Sequence, residues 1–588
     1  MIRVILTSLI VPIFVDSISC GKISIFPKIR HTYIYNVIVV LLSYTFLNIF
    51  LWQYQINFLI LITIFYIISI AMYYIHEFRG TNINISDILS INTAKEVAGG
   101  YTYNIKPIFV VTLIMIIAEY ILHICYYKID VFKNYNVGIN GINNTNIEIY
   151  RYGWHEFGQI LLFLFLFFLL RDIVSKNKYD YSLLAGEKEG YIYNFFSSFP
   201  IFHKKNILEK NNDTVINIKD LKELKYKSTF NILDTENAQK YDSFKSDKNK
   251  PHVIIIMNES FGSVNRRVKT NIPVTPYYDG LNDVIKGDLY VNTFGGGTAN
   301  TEFEFLTGVS IGDYPYPVMP YNNFVKEDKY SIAKYFKEFG YKTIAMHPYT
   351  ATNYNRDKVY KRFGFDELLF FDDFKDKKYV RNFVSDASMY EEVIRRYESV
   401  KQSKEKAFIF GITMQNHSGY GEFENQEVVS DIEGVSAEDK KSLDSYLSLM
   451  KISDDAIKIL IDYFKKEKEK VVILFFGDHN ASFGTDINKL VYDKSFIYEC
   501  TNTYVTPFFI YSNSEQYNKV VDGVSANFLS VELFKAAGLP FDDIHYLLDS
   551  VYKDYNIYSY HKMKKKSDNK LYDIPYNLLT RFEEEYLK

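Results

Sequence analysis

Residues 471–480, VVILFFGDHN, decide the reading of the fold: six apolar residues without alternation end abruptly in Gly477, Asp478 and His479. A short, continuous apolar run of this kind is the pattern of a strand buried on both faces, as in a parallel sheet covered by helices. The segment PHVIIIMNES at 251–260 repeats the arrangement, with an apolar run leading into Asn258, Glu259 and Ser260. Thr343–Met346, Ala407–Ile412 and Thr506–Tyr511 are further strands of the same type, while Ser331–Phe339 and Tyr446–Phe464 have helical spacing. This alternation predicts an α/β domain with a central, largely parallel sheet sandwiched by helices. Ligands collect at the carboxyl ends of such strands, which is where Glu259, Asp478 and His479 fall.

Outward from these strands the chain changes character. Apolar residues crowd into the first 175 positions of the 588, and charged residues dominate the remainder. Four runs approach the ~20 residues that cross a bilayer, at Tyr33–Leu51, Ile56–Tyr74, Pro107–Tyr126 and Phe157–Val174. A shorter fifth, Val4–Ser19, carries Asp16. The organisation expected is a five-span helical transmembrane bundle over 1–175, an amphipathic helical linker over 176–248, a catalytic domain over 249–555 and a tail over 556–588. The linker holds two amphipathic patches, Tyr191–Phe202 and Ile216–Tyr226. Five spans from an inside N-terminus place the large domain outside, whereas Lys22, Lys28 and Arg30 in the first loop favour the opposite arrangement under the positive-inside rule. A net charge of -3 provides no basic field for nucleic acid. Three widely spaced cysteines supply neither a disulfide framework nor a CxxC zinc site.

Chemistry concentrates in three places. Glu259 at one strand end and Asp478 with His479 at another offer oxygen and nitrogen ligands for a divalent metal, and Gly477 is read as permitting a sharp turn that lets the pair converge. The segment TFGGGTANTEFE, 293–304, brings three glycines and then Thr298 where a helix begins. Backbone N–H groups there can approach an anion, and a metal-activated hydroxyl can act as a nucleophile. The alternative for Thr298 is a helix N-cap supported by Thr301 or Glu302.

NESF (258–261), GGGTANTEFEFLTG (295–308), NRDKVYKRFGF (355–365), TMQNHSGY (413–420) and FGDHN (476–480) together resemble the ordered motif set of the lipoteichoic acid synthase family. These are membrane phosphoglycerol transferases of sulfatase-like type within the alkaline phosphatase superfamily. The resemblance runs from about 250 to 515, and FRGTNINISDILSINTAKEVAGGY (78–101) is similar to a loop between the family's third and fourth spans. It implies a metal site of Glu259, Thr298, Asp478 and His479, filled by Mn2+, with Mg2+ or Zn2+ as alternatives. It also implies a glycerolphospho-threonine intermediate at Thr298, a phosphate-contacting Arg356, and His417 as a substrate contact and acid or base. His347 and Tyr354 are further substrate-binding candidates. Read alone, Arg356 is equally a salt-bridge partner of Asp357 or another acid, and His417 a hydrogen-bonded core histidine. Two positions depart from the family: Tyr354 stands where Trp is usual, and Tyr349 lies near an expected acidic substrate contact. The implied donor is phosphatidylglycerol, and the implied acceptor a polyglycerol-phosphate chain or a glycan, at a cell membrane with the catalytic domain extracellular. A phosphoethanolamine transferase, a sulfatase-like hydrolase and a non-catalytic membrane scaffold are the alternatives; a sulfatase is disfavoured because position 298 is neither Cys nor Ser in a formylglycine motif.

Overall fold

The computed structural model describes residues 2–21, 31–50, 54–79, 105–137, 240–312, 319–483, 485–492, 502–559, 562–565 and 571–573, with isolated positions between them. The chain divides into two compact units, one built on the N-terminal helices and the other holding the described residues from 240 onward.

The first unit contains helices at Ile2–Ser19, His31–Phe50, Tyr54–Arg79 and Pro107–Val137, which cover four of the five expected spans. Among the described residues only Ile56–His76, 21 residues, is long and apolar enough to cross a membrane. The apolar stretches of the others are Leu9–Ser19, Tyr33–Ile49 and Pro107–Leu122. Against the five spans expected, the described residues thus show one clear candidate. The span at Phe157–Val174, the linker patches and the 78–101 loop lie outside the described residues apart from a few positions. Buried polar side chains knit the helices together: Asn57 donates to Asn48 at 2.8 Å, and the Tyr66 hydroxyl donates to the Phe109 carbonyl at 2.9 Å.

In the second unit an eight-stranded sheet is built from β1 (His252–Asn258), β2 (Ile285–Tyr290), β3 (Tyr341–Met346), β4 (Glu367–Leu369), β7 (Lys406–Ile412), β8 (Val471–Gly477), β9 (Val505–Ser512) and β10 (Lys519–Ser525). A small hairpin, β5 (Tyr379–Val380) and β6 (Phe383–Val384), and a three-stranded sheet of β11 (Tyr555–Ser559), β12 (Lys562–Lys565) and β13 (Leu571–Asp573) complete the strands. The main sheet is ordered β10-β2-β9-β8-β1-β7-β3-β4. β1 pairs parallel with both β8 and β7, and β3 parallel with β7 and β4. The expected strand at Thr506–Tyr511 is present as β9 but runs antiparallel to β8 and β2, so its first residues lie beside the carboxyl end of β8.

Successive residues of β1 enter opposite cores, as the apolar run requires. Ile255 and Met257 join a cluster with Phe303, Phe336 and Phe534, and Ile254 and Ile256 join one with Met389, Leu447 and Ile457. The second cluster is covered by the long helices Asp386–Gln402 and Ala437–Phe464, whose N-cap residues Ser385 and Ser436 each accept from a backbone N–H.

One fully buried acid fixes the helix that follows β2. Glu304, on the helix Thr298–Thr307, accepts from Asn292 Nδ2 at 2.7 Å, Ser310 Oγ at 3.2 Å and the Ile311 backbone N–H at 2.8 Å. It thereby ties the exit of β2 to the chain beyond the helix. Burial outweighs these donors and raises its pKa from 4.5 to about 7. Between those values the native state binds more protons than the unfolded chain, so this group's contribution to stability declines as pH rises. Glu304→Gln is expected to flatten the loss of stability between about pH 5 and 7, by on the order of 3 kcal/mol across the window, measured by denaturant unfolding at several pH values. An unchanged pH profile would contradict this.

Candidate active site

The register of β1 with β8 sets Asn258 opposite Gly477, so the next residue of each strand, Glu259 and Asp478, leave the sheet side by side. The turn after β1 is tight: Ser260 adopts a positive φ of 52°, its N–H donates to Asp478 Oδ1 at 2.7 Å, and its hydroxyl donates to Glu259 Oε1 at 2.9 Å. The Glu259 N–H donates to Thr413 Oγ1 at 3.0 Å, joining the end of β7. Gly477 is needed for close approach rather than for a sharp turn. Its φ is not positive, and a Cβ there would lie 1.9 Å from the Phe261 carbonyl oxygen.

His479 completes the group. Its Nδ1 lies 3.1 Å from the Asn480 carbonyl, which fixes the tautomer with the proton on Nδ1 and leaves the Nε2 lone pair for another partner. That Nε2 is 3.2 Å from Asp478 Oδ2 and 3.6 Å from Glu259 Oε1. Ligand atoms of Glu259, Asp478 and His479 all fall within 4.8 Å of one another, and Asp478 Oδ2 and His479 Nε2 are buried without hydrogen-bond partners. Burial, and for Glu259 also the charge of Asp478, raises the pKa of both carboxylates. Two buried acids facing an imidazole lone pair, with lone pairs unused, fit a divalent cation.

Thr298 stands against this group. Gly297, in left-handed conformation at φ 86°, is the helix cap, and no side-chain cap bond forms. The Thr298 hydroxyl instead donates to Glu259 Oε2 at 3.2 Å, so its role is not that of an N-cap. A Cβ on Gly297 would lie 2.6 Å from Thr293 Oγ1, and Thr293 itself donates to the Gly296 carbonyl. The glycine loop is tied to the Asp478–Asn480 turn by Gly295 N–H to the Asn480 carbonyl at 3.0 Å, and Thr301 Oγ1 donates to the Asp478 carbonyl at 2.8 Å.

The remaining candidates lie around this centre. His417 has its pKa lowered by burial, against the opposing charge of Glu259, and its ring sits 5.4 Å from Phe383. His347, at the end of β3, has Nδ1 3.3 Å from the Ile412 carbonyl, and its pKa is held well below the usual range by burial and then by Arg356. Arg356 pairs with Glu302 rather than Asp357, and its guanidinium lies 5.0 Å from the ring of Tyr354, which takes a positive φ of 54°.

Several supporting residues escaped the sequence reading. Asn258 Nδ2 donates to Asp386 Oδ2 at 2.7 Å, Asn416 Nδ2 reaches Ser453 Oγ at 2.8 Å, and Ser453 donates in turn to Asp386. Burial raises Asp386 to about 6. Arg381, in the β5–β6 turn, donates to the carbonyls of Gln415, His417 and Gly419 and so holds the His417 loop. The polar ends of apolar runs, Asn258 and Gln415-Asn416, were the available signal; Arg381 and Asp386 had none.

A family model described as Sulfatase matches residues 251–539. A putative cyclic β-1,2-glucan modification protein of Rhizobium meliloti is 30% identical over 334 residues, covering 55% of this chain and 52% of that protein. A lipoteichoic acid synthase-like protein of Bacillus subtilis is 26% identical over 262 residues, covering 42% of this chain and 40% of that protein. Among solved structures, the Streptococcus pyogenes phosphoglycerol transferase GacH in complex with sn-glycerol-1-phosphate matches with a TM-score of 0.48 and 24% identity, over 60% of this chain and 90% of that one. The chain spans about half the length of the curated relatives it matches. The matched region resembles a sulfatase-type domain. Beyond that region's class, the chain is similar to a lipoteichoic acid synthase-like protein.

Titration calorimetry with Mn2+ is expected to detect one site in the full chain, with affinity reduced at least about 100-fold in Asp478→Ala and His479→Ala. Chelation of the metal is expected to lower Tm and re-addition to restore it. Equal affinity in both variants would rule out the ligand set.

Proposed function

We propose that the chain is a membrane-anchored, metal-dependent phosphoglycerol transferase with an outward-facing catalytic domain, taking glycerol phosphate from phosphatidylglycerol and passing it to a glycan through Thr298. The observation that carries the reading is the Thr298 hydroxyl 3.2 Å from Glu259 Oε2, beside Asp478 and His479. Glu259, Thr298, Asp478 and His479 would hold the cation. The donor set of carboxylate and hydroxyl oxygens with one imidazole supports Mn2+. When bound, a divalent cation supplies Lewis-acid polarisation of the Thr298 hydroxyl and of a phosphoryl oxygen.

In the first displacement Thr298 Oγ forms a bond to phosphorus as the bond to the diacylglycerol oxygen breaks, and diacylglycerol leaves carrying a proton. In the second, an acceptor hydroxyl attacks the phosphothreonine and Thr298 regains its proton. His417, whose pKa burial lowers, is suited to take the acceptor's proton. Arg356 balances charge on the phosphoryl oxygens. Of the two acceptors implied by the motifs, the glycan is favoured by relatives whose names are a cyclic β-1,2-glucan modification protein and a capsular polysaccharide biosynthesis protein. The apolar helix Ile56–His76 supports an anchor near a lipid donor.

The test is release of fluorescent diacylglycerol from phosphatidylglycerol by the full chain in nanodiscs with Mn2+. Wild-type release that falls at least about 1000-fold in Thr298→Ala is the expected result. Release that survives the substitution contradicts the mechanism, and release from phosphatidylethanolamine alone moves the donor.

A further inference from the structure

Glu302 lies four residues beyond Thr298 on the same helix and is fully buried. That spacing puts the two side chains on one face, about 6 Å apart at their Cβ atoms. The Glu302 carboxylate receives Arg356 Nε at 3.1 and 3.2 Å and Nη2 at 2.5 Å. The hydroxyls of Tyr360, at 2.6 Å, and Tyr321, at 2.9 Å, donate to its other side through Oε2. A planar guanidinium gripped along its Nε–Nη2 edge cannot rotate, so its third nitrogen takes a fixed direction.

That third nitrogen has no acceptor. Arg356 is 1% exposed, yet Nη1 makes no hydrogen bond among the described residues. Burial opposes the positive charge and Glu302 more than offsets it, so the guanidinium stays protonated. A buried, charged donor pair with no acceptor is unfavourable unless a ligand oxygen meets it. The guanidinium also acts electrostatically on His347, which interacts in turn with His417, and His417 with Glu259.

We infer that Glu302 is a positioning residue, which locks Arg356 so that Nη1 meets an oxygen of the phosphoryl group transferred to Thr298. The inference rests on reading the site as a phosphoryl-transfer centre. Glu302 does not touch substrate; it acts through Arg356, and the tyrosine pair donates to its Oε2. The ligand chemistry is that of a phosphate ester with free oxygens.

The experiment is a double-substitution cycle on the full, Mn2+-loaded chain, with Glu302→Ala, Glu302→Gln, Arg356→Ala and the double variant Glu302→Ala/Arg356→Ala. Binding of sn-glycerol-1-phosphate, binding of Mn2+ and diacylglycerol release are each measured. Glu302→Ala is expected to weaken glycerol phosphate binding at least about tenfold while Mn2+ affinity changes less than about twofold, and the double variant to bind no more weakly than Arg356→Ala alone. Glu302→Gln, which keeps one acceptor, is expected to fall between wild type and Glu302→Ala, and it carries the test if the alanine variant does not fold. Effects that multiply in the double variant, or Mn2+ and phosphate affinities that fall together, would overturn the inference. If the wild type binds glycerol phosphate in this cycle but releases no diacylglycerol, the transferase reading fails and the role of Glu302 is still decided by binding.

Discussion

Two carboxylates, Glu259 and Asp478, are forced into one buried space by the register in which β1 pairs with β8, and the architecture around them answers to that crowding. Each raises the energy of its own charged form through burial, and neither can move away without breaking a parallel ladder at the centre of the sheet. Backbone and hydroxyl donors from Ser260, Thr298 and His479 relieve part of the negative charge. The lone pairs that remain on Asp478 Oδ2 and His479 Nε2 define where a cation fits. The glycine loop and Gly477 answer to the same constraint, because the chain must pass within van der Waals contact of the turn to bring a hydroxyl there.

A second buried charge centre sits one helical turn away, and it is built differently. Arg356 and Glu302 are fully desolvated partners, and taking two charges out of water is favourable only when geometry and further hydrogen bonds are good. Here the bidentate edge and two tyrosine hydroxyls supply them. Arg381 is held differently, since its Nη1 and Nη2 donate to carbonyls of the His417 loop. The two arginines thus differ in partner, a carboxylate for Arg356 and backbone carbonyls for Arg381.

How much of this was legible in the sequence depended on the physics of each element. Buried strands such as VIIIM and VVILFF announce themselves by continuous apolar runs, and the acids that end them stand out because burial of charge is rare. β2, with the sequence IKGDLY, and the edge strands β4 and β10 lack such runs because part of each faces solvent, and their pairing is settled only by tertiary contacts. The antiparallel direction of β9 has no local signature. Glu302 was visible only as a helper at a helix start; its real partner lies 54 residues away, a distance no local pattern encodes. Apolar runs near the N-terminus were read as five spans, whereas the described residues carry one clear candidate.

The central claim is that Thr298 carries the transferred group in covalent form. Mass spectrometry of the full Mn2+-loaded chain, quenched during turnover of phosphatidylglycerol, tests it most directly. A glycerophosphoryl adduct on the peptide containing Thr298, present only with lipid and metal, is the predicted result. Turnover with no adduct on that peptide, or an adduct on another residue, would contradict the account.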